Sequence, residues 1–239
     1  MRIGVFDSGI GGLTVLKELV NKYPNNNYYY FGDNKNMPYG SKTKKELEHL
    51  SDNIIKFLLN KNVDIIVIAC GTISSNVYEC LKNKYKIPIY DIISPTINYI
   101  NNNNYKKIGL MATKMTVESK IFEKQINNEV VSIACPLFVP IIENNMNNID
   151  EAIKEYTKYI PNDIDALILG CTHYPILEDK IKTYFKNADM INMGKILADS
   201  INIKNGIEKN VRLYFSKIDH NLINNIEKIL PFNYQLEEI

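Results

Sequence analysis

Short apolar runs alternate along the chain with longer segments in which apolar residues recur at helical spacing. Runs of strand length occupy residues 2–6, 27–32, 63–69, 87–92, 106–112, 130–136, 164–170 and 188–193. Helical spacing occurs in residues 11–23, 44–62, 74–85, 116–127 and 149–160. In the second of these segments, for example, Leu47, Leu50 and Ile54 fall on one face. The alternation of strands and helices predicts an α/β fold with mainly parallel sheets.

One apolar run occurs twice with the same flanking residues. The sequence VDIIVIAC at residues 63–70 aligns without a gap with IDALILGC at residues 164–171. Cys70 and Cys171 therefore follow equivalent strands, which would be an odd coincidence if both were only packing residues. Two halves of similar plan are the simplest explanation.

The start of the chain also has a counterpart. The sequence RIGVFDSG at residues 2–9 matches KIGLMATK at residues 107–114. We predict the seam between the halves near residues 93–104, where a proline and the tract NNNN interrupt the pattern.

Polar residues follow several of the predicted strands. They are Asp7 and Ser8, Cys70 to Thr72, Thr113, and Cys171 to His173. In open α/β sheets, ligands bind beyond the carboxyl ends of the strands, so these residues lie on the binding edge of their half. If the halves face each other about a pseudo-twofold axis, the two cysteines meet across one cleft.

Two facing thiols suit the chemistry of a racemase, which needs a base on one face of a tetrahedral carbon and an acid on the other. A thiol has an ordinary pKa of about 8.5, so modest tuning gives one thiolate and one thiol near neutral pH. The helix N-termini that follow both strands favour a thiolate or a bound carboxylate. Thr72, Ser74, Ser75 and Thr172 are suitable anion ligands or helix caps.

Two further ionisable groups accompany the thiols. Asp7 could orient Cys70 or accept its proton, and His173 could do the same for Cys171. Asp7 could instead cap the helix that follows it, and His173 could be an ordinary loop histidine. The short spacing to a cysteine favours the catalytic interpretation of His173.

The turn DSGIGGLT raises an alternative. Gly9-x-Gly11 after a strand, with Asp33 at the end of the next strand, resembles a dinucleotide-binding fingerprint. The third glycine position holds Thr14, however, and a nicotinamide site would leave the paired cysteines unexplained. We therefore predict that the glycines let the backbone approach a small carboxylate closely.

Composition and charge narrow the class of protein. Lys and Arg number 28 against 27 Asp and Glu, a net charge of +1, so there is no electrostatic argument for nucleic acid or an anionic membrane. The chain has no signal-peptide pattern and no apolar run near the roughly 20 residues of a membrane span, which predicts a cytoplasmic protein. Without C-x-x-C pairs we expect no structural zinc site, and Cys80 and Cys135 are predicted to be packing residues.

Five motifs, GVFDSGIGGLTVLKEL, YFGDNKNMPYGSK, IACGTISS, ACPLFVPIIE and LGCTHYP, together resemble the glutamate racemases of the cofactor-independent Asp/Glu racemase superfamily, and NVRLYFSKI resembles the C-terminal region of that family. The resemblance implies two α/β domains around a central cleft, formed by residues 1–95 plus about 208–239 and by residues 96–207. It implies interconversion of L- and D-glutamate for bacterial peptidoglycan, without metal, pyridoxal phosphate or nucleotide. It leaves a homodimer as one option.

The resemblance also assigns roles to residues. It implies that Cys70 and Cys171 are the acid/base residues and that Asp7, Glu143 and His173 handle protons beside them. Without the match, Glu143 would pass as a surface residue of a polar loop. The residues expected to contact substrate are Asp7, Ser8, Tyr39, Gly40, Gly71, Thr72, Thr113, Thr172 and His173.

One position departs from the family pattern. Relatives usually carry Asn after the first cysteine, whereas this chain has Gly71. A lost hydrogen bond to a charged substrate costs roughly 1.5–3 kcal/mol if nothing replaces it. Two alternatives therefore stay open. One is a racemase of another small acid such as aspartate, and the other is a non-catalytic amino-acid-binding protein on the same fold, although such a protein has no need of both thiols.

Overall fold

Ten strands in two sheets form the frame of the molecule. The computed structural model describes all 239 residues. The strands are β1 (Arg2–Asp7), β2 (Asn27–Gly32), β3 (Ile65–Ile68), β4 (Ile89–Asp91), β5 (Lys107–Ala112), β6 (Glu129–Ala134), β7 (Ala166–Gly170), β8 (Asp189–Asn192), β9 (Asn210–Phe215) and β10 (Gln235–Glu238). The first sheet has the order β10-β9-β2-β1-β3-β4 and the second β6-β5-β7-β8. All neighbouring strands run parallel, which confirms the predicted α/β class.

Eleven α-helices connect and cover the sheets. They are α1 (Gly12–Lys22), α2 (Lys44–Asn60), α3 (Gly71–Lys84), α4 (Ile93–Asn101), α5 (Lys114–Ser119), α6 (Ile121–Gln125), α7 (Phe138–Glu143), α8 (Ile149–Thr157), α9 (Glu178–Lys182), α10 (Met193–Ser200) and α11 (His220–Ile229). The longest, α2, begins with a capping box in which the Thr43 backbone N–H donates to the Glu46 carboxylate at 2.7 Å. No helix combines the length and the apolar composition that crossing a membrane requires.

All eight strands expected from the sequence are present, with ends that differ by at most two residues. The last two strands were not expected. The apolar pattern of β9 is broken by the polar residues Asn210 and Arg212. β10 is a mostly exposed edge strand with one apolar residue, Leu236. Because β9 pairs with β2, the C-terminal segment joins the first sheet.

Residues 93–104, where the seam is predicted, are mostly helical. α4 runs through most of them with Pro95 in its first turn, where the missing N–H has no intrahelical bond to lose. Residues 116–127, expected as one helix, belong to the separate helices α5 and α6 because Lys120 adopts a left-handed φ of 53°. The domain boundaries near residues 95 and 207 stay a prediction.

The internal repeat is structural. The aspartates matched by the alignment, Asp64 and Asp165, precede the cysteine strands β3 and β7. The Asp64 carboxylate accepts the backbone N–H of Arg2 at 2.7 Å, and Asp165 accepts that of Lys107 at 2.9 Å. Each aspartate thereby fixes the start of the neighbouring strand, and β1–β3 and β5–β7 pair in the same register relative to it. The prediction of two pseudo-symmetric halves is confirmed.

One hydrophobic core lies between the two sheets. Within it α1 packs against α10, and α10 packs against α4. The core takes in Val5 of the first sheet, Ile168 of the second, and Leu16 and Leu197 of the helices between them, all essentially inaccessible to solvent. Smaller cores cover the other face of each sheet. The shared core therefore joins the halves.

Leu16→Ala should lower the free energy of unfolding by about 2–5 kcal/mol, the usual cost of truncating a buried leucine, in urea denaturation of the purified protein. Asn21→Ala, at an exposed position of the same helix, is the matched control and should change this free energy by less than about 0.5 kcal/mol. Equal effects of the two substitutions would show that α1 does not anchor the shared core.

Candidate active site

A small cavity of about 150 Å³ lies where the carboxyl ends of the two sheets meet. It is well below the roughly 300–1,000 Å³ of pockets that hold drug-sized ligands, so its ligand must be small. All the residues to which the family resemblance gives a catalytic or substrate-binding role line it, except Asp7 and Glu143; Ser74 and Ser75, considered as anion ligands or helix caps, do not line it. Those with such a role that line it are Ser8, Tyr39, Gly40, Cys70, Gly71 and Thr72 from the first half, and Thr113, Cys171, Thr172 and His173 from the second.

Cys70 follows β3 and occupies the N-cap position of α3. It is almost fully buried, and its Sγ lies 3.9 Å from Ser8 Oγ. Burial raises the pKa of the Cys70 thiol well above its ordinary value, and the charge of Asp7 raises it further. The Ile73 N–H at the start of α3 lowers the pKa but does not outweigh burial. Cys70 is therefore held as a neutral thiol, not as the tuned thiolate that a helix N-terminus alone would favour.

Asp7, the last residue of β1, is completely buried. Its Oδ2 accepts the Gly12 N–H at 2.6 Å and the Thr172 hydroxyl at 3.2 Å, whereas its Oδ1 has no hydrogen-bond partner. Burial raises the pKa of Asp7. Because α1 has Gly11 at its N-cap, Asp7 bonds the first helical N–H without being the cap residue. One oxygen remains free to exchange a proton with Cys70.

On the other side of the cavity, Cys171, His173 and Glu143 form a chain of contacts. Cys171 Sγ lies 3.7 Å from His173 Nδ1, and His173 Nε2 lies 2.7 Å from Glu143 Oε1. Both His173 and Glu143 are buried. Burial lowers the pKa of His173, but its contacts with Cys171 and Glu143 outweigh burial and leave the pKa well above its ordinary value. These contacts favour the cationic form of His173 between Cys171 and Glu143.

The glycine-rich turn of the first half supports this chain of groups in the second half. The Ile10 N–H donates to Glu143 Oε1 at 3.1 Å. A Cβ on Gly9 would lie 2.4 Å from the same oxygen, and a Cβ on Gly11 would lie 2.4 Å from His173 Nδ1. Only glycine allows the backbone so close to these side chains. In the structure these glycines approach side chains of the second half, and the expectation that they admit a small bound carboxylate stays a prediction.

Support also runs from the second half to the first. Thr172 donates to Asp7, and the Thr172 carbonyl in turn accepts the hydroxyl of Thr14 at 2.9 Å. Thr14 is the residue that broke the dinucleotide-binding pattern. The Tyr30 hydroxyl, on β2, donates to the Gly9 carbonyl at 2.5 Å and helps to fix the glycine-rich turn. Each half therefore holds the proton-handling group of the other.

Asp33, the acid that a dinucleotide-binding site would use, is engaged elsewhere. Its Oδ2 accepts the Tyr39 hydroxyl at 2.5 Å, and both of its oxygens accept the Asn36 amide at 2.9 and 3.0 Å. Both carboxylate oxygens of Asp33 are thus engaged within the protein. This contact argues against the dinucleotide alternative and gives Tyr39 a fixed position in the cavity wall.

The two halves also touch at the Thr72 and Thr113 hydroxyls, which lie 2.9 Å apart. Gly40 packs against the same threonine, since a Cβ on it would lie 3.2 Å from Thr113 Cβ. Lys114 lines the cavity and was not singled out from the sequence. Lys114 directly follows Thr113, the polar residue after β5, and this position is the sequence signal by which it could have been predicted.

Gly71 does not widen the cavity. It is the first residue of α3, and a Cβ on it would lie 2.9 Å from the carbonyl oxygen of Gly170. Backbone of the second half fills the space that a side chain would need. The hypothesis that a missing side chain relaxes substrate preference here finds no free volume to support it.

Two cysteines lie outside the facing pair. Cys80 was expected to be a packing residue, which is wrong: it is exposed, because Val77 and Leu81 take the inward positions of α3. Cys135 is fully buried, as expected, and also lines the cavity.

The alternative that Glu143 is an exposed loop residue is wrong as well, since it ends α7 and is buried. No three His, Cys, Asp or Glu side chains are grouped as ligands of a metal ion.

Known proteins share this architecture and sequence. Residues 6–201 match the family described as Asp/Glu/Hydantoin racemase. Glutamate racemase of Hydrogenobaculum sp. (strain Y04AAS1) is 36% identical over 250 residues, covering 100% of this chain and 96% of the relative. The crystal structure of glutamate racemase from Francisella tularensis subsp. tularensis SCHU S4 in complex with D-glutamate has a TM-score of 0.88 at 33% identity, over 100% of this chain and 97% of that chain. Aspartate racemase of Picrophilus torridus, with a TM-score of 0.62 and 21% identity over 82% of this chain and 90% of that one, shares the fold.

The fold and these matches define an amino-acid racemase, an isomerase. The chain belongs to the Asp/Glu/hydantoin racemase family, and over its whole length it is similar in sequence and structure to glutamate racemases.

Glu143→Gln should lower the pKa of His173, because the substitution removes a negative charge that opposes the effect of burial. A histidine NMR titration of nitrogen-labelled protein measures this pKa. His49 and His220 lie outside the cavity and serve as internal references that should not change. An unchanged His173 pKa in the variant would contradict the role of Glu143 as its charge partner.

Proposed function

We propose that this protein interconverts L- and D-glutamate by moving the α-proton between two thiols, Cys70 and Cys171, without a cofactor. The observation that carries the proposal is that both thiols line one small cavity between the halves, each beside its own buried proton-handling group. Similarity to glutamate racemases over the whole chain supports the choice of substrate.

On the first side, Asp7 accepts the thiol proton of Cys70, and the resulting thiolate removes the α-proton of the substrate. Burial raises the pKa of the thiol and of the carboxyl in the same direction. The raised pKa of Asp7 makes it a better proton acceptor for Cys70 than a carboxyl of ordinary pKa would be. The unpartnered Oδ1 of Asp7 supports this role.

On the second side, Cys171 delivers its proton to the opposite face of the α-carbon, and cationic His173 replaces that proton. Glu143 holds the imidazole through Nε2, which leaves Nδ1 directed at the thiol. For the other enantiomer the roles reverse: His173 is neutral and takes the thiol proton, Cys171 abstracts the α-proton, and Cys70 donates.

Donors for the charged groups of the substrate surround the thiols. The hydroxyls of Ser8, Thr72 and Thr172 line the cavity, and the N-terminus of the 14-residue helix α3 points its free N–H groups toward it. These groups suit carboxylates, which is the common feature of acidic amino acids.

Aspartate is the second candidate substrate, raised by the missing side chain at Gly71. The space beside Gly71 is filled by the carbonyl of Gly170, and the likeness to an aspartate racemase rests at 21% identity on the fold alone. Glutamate is therefore favoured. A non-catalytic amino-acid-binding protein would not require two thiols in one cavity.

In a bacterial cell this reaction supplies D-glutamate for peptidoglycan, and we place it in the cytoplasm. Both proposals rest on the resemblance to the family, which leaves a homodimer as one option.

Incubation of the purified protein with L-glutamate in deuterium oxide, with no added cofactor, tests the proposal. Optical rotation should fall to zero while deuterium enters the α-position of the product. L-Aspartate should react at least about tenfold more slowly, the usual discrimination for one methylene group. Constant optical rotation, with no deuterium entering the α-position of either amino acid, would contradict the proposal and favour a binding protein.

Cys70→Ser and Cys171→Ser should each reduce kcat by roughly 10²–10⁴-fold, because a serine hydroxyl is a much weaker acid and base than a thiol. Cys80→Ser, at the exposed cysteine, is the matched control and should keep full activity. Circular dichroism should confirm that all three variants are folded. Near-normal racemisation by either cavity variant would rule out the two-thiol mechanism.

A further inference from the structure

We propose that Gly71 is a positioning residue: because it lacks a Cβ, the start of α3 and the end of β7 approach closely enough to set the separation of the two thiols. The kinetic part of this inference rests on the proposed function, whereas its structural part does not. Gly71 acts in this proposal through its contact with the opposite half and not through a bond to substrate.

The sequence places the contact beside both thiols. Gly71 directly follows Cys70, and Gly170 directly precedes Cys171. A Cβ on Gly71 would lie 2.9 Å from the Gly170 carbonyl oxygen, closer than an ordinary nonbonded contact. The obstacle is backbone and not the end of a flexible side chain. Any substituent at residue 71 must therefore move one of the two backbone segments that carry the cysteines.

The end of β7 is itself tightly packed against the neighbouring strand. A Cβ on Gly170 would lie 2.8 Å from the carbonyl oxygen of Met111 and 2.9 Å from the Cβ of Ala112. Both belong to β5, with which β7 is paired up to Gly170 itself. The strand end lies tightly against its neighbour, so a side chain on Gly71 should displace the start of α3, and Cys70 with it.

Backbone conformation does not explain the glycine. No glycine in the chain has a positive φ, and Gly71 lies in the first turn of a regular helix. Alanine is compatible with that conformation and is the better helix former. An alanine at this position therefore tests the close approach itself, because it imposes no change of helical conformation on residue 71.

Displacement of Cys70 should affect racemisation and α-deuterium exchange to different extents. Racemisation needs both sulfurs within reach of one carbon. For the enantiomer whose α-proton faces Cys171, abstraction and return of that proton need only Cys171, whose proton exchanges through His173. With this enantiomer as the starting material, a wider gap should therefore slow inversion more than it slows deuterium exchange into the starting enantiomer.

Gly71→Ala should lower kcat for racemisation by about 10- to 100-fold, the scale expected for sub-ångström to 1 Å misplacement of a reacting group, with KM changing by less than roughly threefold. The amount of α-deuterium in the recovered starting enantiomer, divided by the amount of the opposite enantiomer formed, should rise. Gly4→Ala is the control, because its Cβ meets first a flexible leucine methyl at 3.1 Å, and it should change neither quantity. Gly71→Ser carries the same Cβ and repeats the test if the alanine variant does not fold.

Crystal structures of the wild-type protein and Gly71→Ala measure the effect without any substrate. The Cys70–Cys171 sulfur separation should increase by about 0.5 Å, the amount that turns a 2.9 Å approach into an ordinary contact. An unchanged separation, or a wider one with wild-type kcat and exchange ratio, would overturn the inference. A wider separation in a protein whose wild type does not racemise glutamate would overturn the proposed function while the positioning of the thiols by Gly71 stands.

Discussion

The contact between the glycine-rich turn after β1 and the buried Glu143–His173 pair is the constraint on which the site depends. The turn belongs to the first sheet and the pair to the second. A carboxylate and an imidazole away from water are stable only when they are paired and hydrogen-bonded. Here the carboxylate takes one bond from His173 and one from the Ile10 N–H. The pair is therefore fully satisfied only when the halves meet as they do in this structure.

A symmetric frame carries unsymmetric chemistry. The repeat places Cys70 and Cys171 at equivalent positions, yet their proton-handling neighbours come from different places. Asp7 ends the first strand of its half, where the second half has Ala112. His173 follows its cysteine by two residues, where the first half has Thr72. One thiol thus meets a buried carboxyl and the other a buried cation, although the strands that present them pair with their neighbours in the same register.

This difference has an electrostatic consequence. On the first side burial raises the pKa of both Asp7 and Cys70, which keeps the proton within that pair. On the second side the charge of Glu143 helps to keep His173 protonated in spite of burial. A proton acceptor and a proton donor therefore lie on opposite faces of one cavity. That arrangement suits transfer across a carbon better than two identical sides would.

Features that depend on one short segment of the sequence could be predicted from that segment. The eight apolar runs are strands because a buried parallel strand must be apolar on both faces, and the repeat located both cysteines at the sheet edges. Asp7 and His173 were predictable from their spacing to these edges. Glu143 was not predictable from its own surroundings, since what buries it is a turn 133 residues earlier in the chain. The edge strand β10 and the contact at Gly71 were missed for related reasons: one has almost no buried face, and the other involves only backbone.

Amide hydrogen exchange at the glycine-rich turn tests most directly whether the halves hold each other's groups. The Ile10 N–H bonds to Glu143 and the Gly12 N–H bonds to Asp7, so we expect both to exchange as slowly as the central strands. In Glu143→Ala, Ile10 should lose this protection while Gly12 keeps it. Rapid exchange of Ile10 in the wild-type protein, at the rate of an exposed loop, would show that the turn does not hold the acid–base groups of the second half.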